Sequence, residues 1–292
     1  MARSMVLIVV GFLTAISCAQ AQSWKRDYPA LVYMVQADAD EGQARRFQPF
    51  LKYLSGAIGV PVRLEIAAKC ESTGEEQKKQ RVHIAHYCGA AAFARAYLNG
   101  AKIEPFAIDA NKDGTTGYYS EFFVRKTAPY QRIEDLKGKI LGLGYVDSTS
   151  SDLEPRFMLH GKGFTPETFF SRVVYTGGPT ESILALRDGK IDVAAVTSDI
   201  FASFPELDAS QFRTILTSEL LPLPPVVYLG GLPAELKLTI RGAFLSIGNK
   251  DMAAFKARTG LNQSGNPWQL ADFQTYQHMV GLMKFVDQVR KK

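Results

Sequence analysis

The segment Ile133–Ser151 reads IEDLKGKILGLGYVDSTSS, and its residue pattern changes twice along its length. Its first four residues predict a short helix, Lys137-Gly138 predicts a turn, and the apolar run from Ile140 predicts a buried strand. The four hydroxyl residues Ser148–Ser151 then open a predicted helix that runs to His160. A strand that passes directly into a helix predicts an α/β unit.

The hydroxyl residues at the start of this helix have two interpretations. Ser and Thr accept hydrogen bonds from the free N–H groups of a helix start, so Ser148 is a candidate cap. The same end of a helix attracts negative oxygens, so Ser148, Thr149 and Ser150 are also candidates for binding an anion. From these residues alone both interpretations stay open.

Strands and helices alternate on both sides of this segment. The preceding block predicts three strands, at 30–36, 60–67 and 82–87, separated and followed by helices at 44–58, 71–80 and 89–98. The middle block predicts strands at 118–125, 173–175 and 191–197, with a helix at 181–187. Leu221–Pro225 breaks the pattern, a strand resumes at 226–229, and the tail from 235 to 289 predicts helices and loops.

This order predicts an α/β protein with two lobes, each a mainly parallel sheet flanked by helices. The first predicted lobe comprises 22–117 together with 226–292, and the second comprises 118–225. Two hinge strands join them, because the chain crosses near Gly117 and returns near Pro225. Ligands of such folds lie at strand ends and between domains.

The first residues predict a secretory signal peptide. Arg3 gives a basic start, 5–16 is an apolar run too short to span a membrane, and Ala19-Gln20-Ala21 has the small-residue pattern of a cleavage site. We predict cleavage after Ala21 and a periplasmic location, with lipid attachment at Cys18 as the alternative. No later segment is long and apolar enough for a membrane helix, so the mature chain is expected to be soluble outside the cytoplasm.

Composition narrows the functional classes. Apolar residues make up 46% of the chain and charged residues 22%, which is typical of a globular protein. The net charge of +5 suits small anions, but no arginine-rich arm or basic patch indicates a nucleic-acid partner. The sequence contains no Gly-x-Ser-x-Gly motif, Walker loop or paired-histidine metal motif. We therefore predict a binding protein with no catalytic residues and no cofactor, with an enzyme on the same scaffold as the alternative.

Cys70 and Cys88 are the only cysteines left once the leader is removed. In an oxidising compartment they predict a structural disulfide, which stabilises a fold by roughly 3 kcal/mol for a loop of this size. The other possibility is an open dithiol that binds a soft, thiophilic centre. His83, His86 and Cys88 also raise a zinc- or copper-binding alternative. In a strand His86 and Cys88 face one side and His83 the other, so the three cannot bind one ion together and we predict no metal site.

Three segments together resemble a known family. The segment Ile133–Ser151, the segment GGPTESILALRDGKIDVAAVTSD at 177–199 and the segment FQPFLKYLSGAIGVPVRLEI at 47–66 are similar to the periplasmic phosphate/phosphite/phosphonate-binding proteins of ABC transporters. The resemblance runs from about residue 31 to about residue 227. It implies the type II periplasmic-binding fold, which closes on its ligand, and a monomer that is recognised by a membrane permease or a sensor histidine kinase.

The resemblance also implies site residues. In this family a Ser-Thr-Ser turn at a helix start binds the oxygens of a tetrahedral anion, which assigns that role to Ser148, Thr149 and Ser150. Tyr118 matches a pocket tyrosine and otherwise packs a hinge strand, and Asp199 matches an acidic ligand contact and otherwise caps a helix. The ligand is then a small oxyanion held in a cleft between the lobes.

The two cysteines fall on pocket positions of the same family. Cys70 matches a ligand-facing tyrosine, and Cys88 lies on the turn after the third strand, so both are expected to face the cleft opposite the Ser148–Ser150 turn. In this respect the chain resembles the arsenite-sensing branch of the superfamily, so arsenite is a candidate ligand beside phosphate, phosphite and phosphonates.

Two positions depart from the family pattern. Pro179 replaces a histidine that adds a donor to the anion, and proline offers neither a ring nitrogen nor an N–H. Pro224 replaces a second acidic ligand contact. These changes favour a ligand that is smaller than an amino-phosphonate, or one that is bonded differently.

Overall fold

The computed structural model describes residues 23–36, 41–67, 69–258 and 266–290. The predicted leader, its cleavage site and Cys18 therefore lie outside the described residues. The chain divides into two compact units. The first unit contains the described residues up to Gly114 and those of Pro224–Phe273, and the second contains Thr115–Leu223 and the described residues from Gln274 onward.

The first segment alternates strands and helices. Its elements are α1 (Trp24–Asp27), β1 (Leu31–Gln36), α2 (Glu41–Arg46), α3 (Gln48–Ile58), β2 (Val62–Ala67), α4 (Cys70–Lys78), β3 (Ile84–His86), α5 (Ala90–Leu98) and β4 (Ile103–Ile108). The helix predicted at 44–58 is thus two helices. Pro49 lies in the first turn of α3, because proline fits a helix start and not a helix interior.

The middle segment forms the second unit's sheet and most of its helices. Its strands are β5 (Gly117–Tyr118), β6 (Ser120–Arg125), β7 (Ile140–Leu143), β8 (Arg172–Tyr175), β9 (Val193–Thr197), β10 (Phe212–Thr217) and β11 (Leu221–Pro222). Its helices are α6 (Glu154–Gly161), α7 (Pro166–Phe169), α8 (Pro179–Arg187) and α9 (Ile200–Ser203), with 3₁₀ turns at Ile133–Leu136 and Ala209–Gln211. A π-helical turn at Thr149–Leu153 runs directly into α6.

The last segment returns to the first unit and ends in the second. Its elements are β12 (Pro225–Leu229), α10 (Ala234–Lys250), α11 (Met252–Ala257), β13 (Gln269–Leu270), a 3₁₀ turn (Gln274–Tyr276) and α12 (Gln277–Arg290). Among the described helices, none combines the length and the apolar character needed to cross a membrane.

Each unit has its own sheet. In the first unit the strand order is β13-β4-β12-β3-β1-β2, with β1 parallel to β2 and β3, and β12 antiparallel to β3 and β4. In the second unit the order is β10-β6-β9-β7-β8, with β7 parallel to β8 and β9. β5 and β11 form a separate antiparallel pair where the chain enters and leaves the middle segment. The predicted α/β class is confirmed, but the sheets are mixed and not mainly parallel, because the strands β12 and β6 run antiparallel to their neighbours.

The core of the second unit follows the period of its strands. Phe122 and Val124 pack on one face of the sheet, and Phe123 packs on the other. Val193 and Ala194 of β9 divide between the same two faces. Because successive side chains of a strand point to opposite faces, one apolar run supplies both layers of helices with a core.

The C-terminal helix is part of the second unit, whereas the sequence prediction assigned 226–292 to the first lobe. The reason is side-chain packing between α12 and α6. Phe285 contacts the ring of Phe157 at 5.4 Å and the imidazole of His160 at 4.8 Å. The predicted lobe boundaries stay a prediction, because compact units and moving lobes need not coincide.

Candidate functional site

The turn between β7 and the helix at Thr149 has a fixed backbone. The Gly144 amide donates to the Ser151 carbonyl at 3.0 Å, and the Ser148 amide donates to the Tyr145 carbonyl at 3.2 Å. A side chain at Gly144 would lie 2.9 Å from the Ser151 Cβ, so only glycine fits. Asp147 has a positive φ of 65°, which asparagine and aspartate tolerate better than most residues.

A buried carboxylate holds the same turn from inside. The Asp152 side chain accepts the Asp147 amide at 2.8 Å, the Arg156 guanidinium at 2.7 Å and the Tyr175 hydroxyl at 3.0 Å. Asp152 is buried and has three donors, so its charge is compensated locally. The turn is therefore a rigid support for the hydroxyl residues that follow it.

The predicted capping role of Ser148 is absent from the structure. Ser148 occupies the cap position with extended backbone, but its side chain makes no capping hydrogen bond. Its oxygen instead accepts the Ser151 hydroxyl at 2.7 Å. The half-buried Thr149 and Ser150 hydroxyls make no hydrogen bond to any described residue. Two hydroxyl groups at the helix start thus remain open to a ligand.

The backbone at this helix start offers donors as well. The first helical hydrogen bonds run from Asp152 and Leu153 to the Ser148 carbonyl, at 3.1 Å and 2.9 Å. The amides of residues 149–151 precede these bonds and have no acceptor within the helix. Together with the positive end of the helix dipole, these groups can stabilise a negative oxygen.

Strand topology brings the other predicted residues of the second unit to the same edge. Ser148 follows β7 and Asp199 follows β9, and these strands are parallel. Tyr118 precedes β6, which runs antiparallel to β9 with Ser120 opposite Thr197. The Ser120 hydroxyl donates to the Ser150 carbonyl at 2.6 Å, so the edge is tied together by side chains.

Tyr118 supplies a protonated hydroxyl. Burial raises the pKa of Tyr118 to about 12, and the nearby carboxylates of Asp199 and Glu154 add to this effect. Its hydroxyl therefore keeps its hydrogen at neutral pH. The same hydroxyl makes no hydrogen bond to a described residue. Asp199 accepts the Thr197 hydroxyl and, although it precedes α9, its side chain does not cap that helix.

Sequence reasoning missed three residues of this edge: Ser120, Glu154 and His278. Glu154 is almost fully buried and pairs with the His278 imidazole at 2.9 Å. The second ring nitrogen of His278 lies 3.3 Å from the Glu219 carboxylate. The hydrogen bond to Glu154 raises the pKa of His278, against the opposing effect of burial. Nothing in the local sequence pairs residues so far apart in the chain.

The remaining predicted residues belong to the first unit. Cys88 is disulfide-bonded, and the side chain of Cys70 lies outside the described part of the structure. His86 pairs with Asp109 at 2.8 Å, and the His83 Nδ1 accepts the Val32 amide at 3.0 Å. Within the described ranges, no three metal-ligating side chains gather at one point.

The two departures from the family pattern are structurally distinct. Pro179 begins α8 directly after Gly178, a position where proline suits the helix start. The Pro224 carbonyl accepts the Asp109 amide at 3.4 Å, so this residue belongs to the first unit.

The fold is that of the type II periplasmic-binding class: two compact α/β units, of which the second presents donors without a described partner at the carboxyl edge of its sheet. A sequence model of the family described as "ABC transporter, phosphonate, periplasmic substrate-binding protein" matches residues 32–265. The chain belongs to this family.

Individual members of the family share only a moderate fraction of identical residues with the chain. The Phosphonates-binding periplasmic protein of Escherichia coli is 26% identical over 223 residues, which cover 74% of this chain. The match spans 65% of the length of that curated relative.

Two solved structures share the fold. A binding protein component of an ABC phosphonate transporter from Pseudomonas aeruginosa has a TM-score of 0.55 and 24% identity, covering 88% of this chain and 86% of that one. PhnD1 from Prochlorococcus marinus in complex with methylphosphonate has a TM-score of 0.55 and 16% identity, covering 89% and 98%.

Proposed function

We propose that the chain is the solute-binding component of an ABC importer and that the Ser148–Ser150 turn binds the oxygens of a small phosphonate-type anion. The observation that carries this proposal is the pair of hydroxyls, Thr149 and Ser150, that have no partner among the described residues and lie beside first-turn amides with no acceptor in the helix. Family membership supports the same ligand class.

The proposed binding mode uses each group according to its chemistry. Ligand oxygens accept hydrogen bonds from the two hydroxyls, the first-turn amides and the protonated Tyr118 hydroxyl. Asp199 accepts from an O–H group on a partly protonated ligand. Glu154 is already paired with His278, so it does not compete for the ligand.

The absence of a donor at Pro179 supports a compact ligand. Methylphosphonate and phosphite need few contacts outside the oxyanion site, and a distant structural relative is in complex with methylphosphonate. An amino-phosphonate needs acidic partners for its ammonium group, and the chain has proline at one of the two family positions, Pro224. We therefore expect methylphosphonate or phosphite to bind more tightly than an amino-phosphonate.

Calorimetry of the mature chain with methylphosphonate, phosphite, phosphate and an amino-phosphonate tests the proposal. Thr149→Val removes one donor while keeping the side-chain shape, and we expect about tenfold weaker binding, or roughly 1.4 kcal/mol. The matched control is Thr168→Val, because Thr168 is exposed on α7 and bonds only the Thr165 carbonyl. Equal affinity of Thr149→Val and the wild type would remove the turn from the site.

The proposed partner is an ABC permease, and the chain is proposed to act as a periplasmic monomer after cleavage at Ala21. A sensor kinase as the partner has no support from the comparisons. The mass of the protein from a periplasmic extract tests the cleavage site. Binding without chemical change is expected, and recovery of intact ligand after incubation distinguishes a binding protein from an enzyme on the same scaffold.

We further infer that the partner of Cys88 is Cys70, since the other cysteine, Cys18, belongs to the predicted leader. The Tyr87 hydroxyl donates to Gln77 at 2.9 Å, which brings the residue before Cys88 against the helix that Cys70 begins. A closed disulfide leaves no thiol for arsenite. Arsenite binding thus requires reduction, and an arsenite titration with and without a reductant tests it.

A further inference from the structure

A cavity of about 290 Å³ opens at the amino edge of the first unit's sheet. His83 precedes β3, Lys102 precedes β4, and Leu229 ends β12, which runs antiparallel to both. Cys88, which matches a pocket position of the family, follows the carboxyl end of β3. The cavity is therefore at the opposite edge of the sheet from the first-unit positions that the family pattern implicates.

Three side chains of this cavity are donors, those of His83, Lys78 and Lys102, and its other polar residues are Tyr28, Gln77 and Gln80. Because the His83 Nδ1 accepts the Val32 amide, the hydrogen of the neutral imidazole sits on Nε2. Burial lowers the pKa of His83, so the ring is neutral at pH 7. The exposed Lys78 and Lys102 add two ammonium groups. None of the described lining residues is an aspartate or a glutamate.

A buried amide in the cavity wall lacks a partner. Gln77 is almost fully buried, its side-chain oxygen accepts the Tyr87 hydroxyl at 2.9 Å, and its side-chain nitrogen makes no hydrogen bond to a described residue. A buried donor without an acceptor costs roughly 1–3 kcal/mol, so such groups are normally satisfied by a ligand or by water. The nitrogen has almost no accessible surface, so an occupant of the cavity reaches it only if the wall moves, and the donors that face an occupant are those of His83 and the two lysines.

The rest of the wall is apolar or aromatic. Leu229 and Leu232 are buried, and the Tyr28 ring meets the His83 imidazole edge to face at 5.8 Å. The volume lies near the lower end of small-molecule pockets, which is roughly 300 Å³. A compact organic body with one acceptor-rich end matches this wall.

We propose that this cavity binds a small organic anion, with its carboxylate or phosphate group against Lys78, Lys102 and His83 and its apolar body against Leu229 and Leu232. Carboxylate and phosphate share the chemistry that these donors recognise. The site is separate from the oxyanion turn of the second unit, and it supplies a second binding function on the same chain.

Nuclear magnetic resonance of the His83 side-chain nitrogens tests the proposal, using benzoate and phenyl phosphate as probes and benzamide as the neutral match of benzoate. The chain has four histidines, and His83→Asn assigns the signal. We expect benzoate or phenyl phosphate to shift the His83 signal at millimolar concentration and benzamide to leave it unchanged. Whichever anion binds more tightly identifies the acceptor group.

The double variant Lys78→Gln with Lys102→Gln is expected to weaken the bound probe about tenfold. Both lysines are exposed, so folding is retained, and Lys52→Gln on α3 is the matched control. Methylphosphonate affinity is expected to be unchanged in this double variant, in Lys52→Gln and in His83→Asn. No shift with either anion, an equal shift with benzamide, or unchanged probe affinity in the double variant would overturn the proposal.

Discussion

The Ser120 hydroxyl donates to the Ser150 carbonyl at 2.6 Å. No pattern in the sequence marks Ser120 as part of the candidate site. Ser120 is fully buried, and its own amide donates to the Ser218 hydroxyl at 2.9 Å. This chain of contacts fixes the carbonyl that follows Thr149, so the direction of the free hydroxyls depends on a residue that need not touch the ligand.

Replacing Ser120 by alanine tests this positioning role. Loss of one hydrogen bond costs about 1 kcal/mol in the free energy of unfolding and leaves the Ser150 carbonyl free to turn. We expect weaker binding of methylphosphonate by calorimetry. Ser171→Ala is the control, because Ser171 also donates to a backbone carbonyl, that of Lys139, but at an exposed position. Ser120 acts only in stability if both variants bind like the wild type.

At the scale of elements, the turn after β7 depends on close approach at Gly144. Gly144→Ala would place a Cβ 2.9 Å from the Ser151 Cβ, so the turn must open. We expect a lower melting temperature and weaker anion binding. The control is Gly56→Ala within α3, where the added carbon meets no atom within 4 Å and alanine stabilises a helix by about 1 kcal/mol. We predict that the melting temperature falls in Gly144→Ala and rises in Gly56→Ala. A change in the same direction in both variants would contradict the close-approach argument.

The link between α12 and α6 predicts a pH dependence. The pKa of His278 is raised in the folded chain by Glu154, and Glu219 also faces the ring. A group whose pKa rises on folding stabilises the fold below its unfolded pKa, about 6.5 for histidine, and this contribution is lost as pH rises through the folded pKa.

His278→Gln is therefore expected to lose most stability below pH 6.5 and progressively less at alkaline pH. Urea unfolding of the variant and the wild type across this range measures the difference. A constant difference at every pH would mean that His278 contributes by packing on Phe157 and not by its charge.

The local pattern predicted most elements but missed four strands: β4, β10 and the two-residue strands β11 and β13. β4 reads IEPFAI, and Pro105 argues against a strand that is flanked on both sides. The structure accommodates it where the register with β12 shifts between Val226 and Val227. β10 reads FRTILT and is an edge strand on β6, with a similar register shift. Both strands depend on a distant partner that a single sequence does not reveal.

In the candidate site, too, local patterns marked some residues and missed those whose partners are distant in the chain. A helix start and a family pattern mark five candidate residues: Ser148, Thr149, Ser150, Tyr118 and Asp199. The structure brings them to one edge of the second unit's sheet. Their binding role stays a prediction. The supporting residues were missed because their contacts join positions about 30 to about 120 residues apart in the chain, a separation that local patterns do not encode.

For the whole molecule, the disulfide at Cys88 predicts a redox-dependent stability. The proposed disulfide between Cys70 and Cys88 is expected to stabilise the fold by roughly 3 kcal/mol, chiefly by restricting the unfolded chain. A reductant is expected to lower the midpoint of urea unfolding of the mature chain, and Cys70→Ser is expected to abolish that sensitivity. Sensitivity that persists in Cys70→Ser would assign Cys88 a different partner.

The most direct test of the central claim is a crystal structure of the mature chain grown with methylphosphonate. We predict phosphonate oxygens within about 3 Å of the Thr149 and Ser150 hydroxyls and of the amides of the first helical turn. A phosphonate group bound at another place, with that turn free of ligand, would contradict the account.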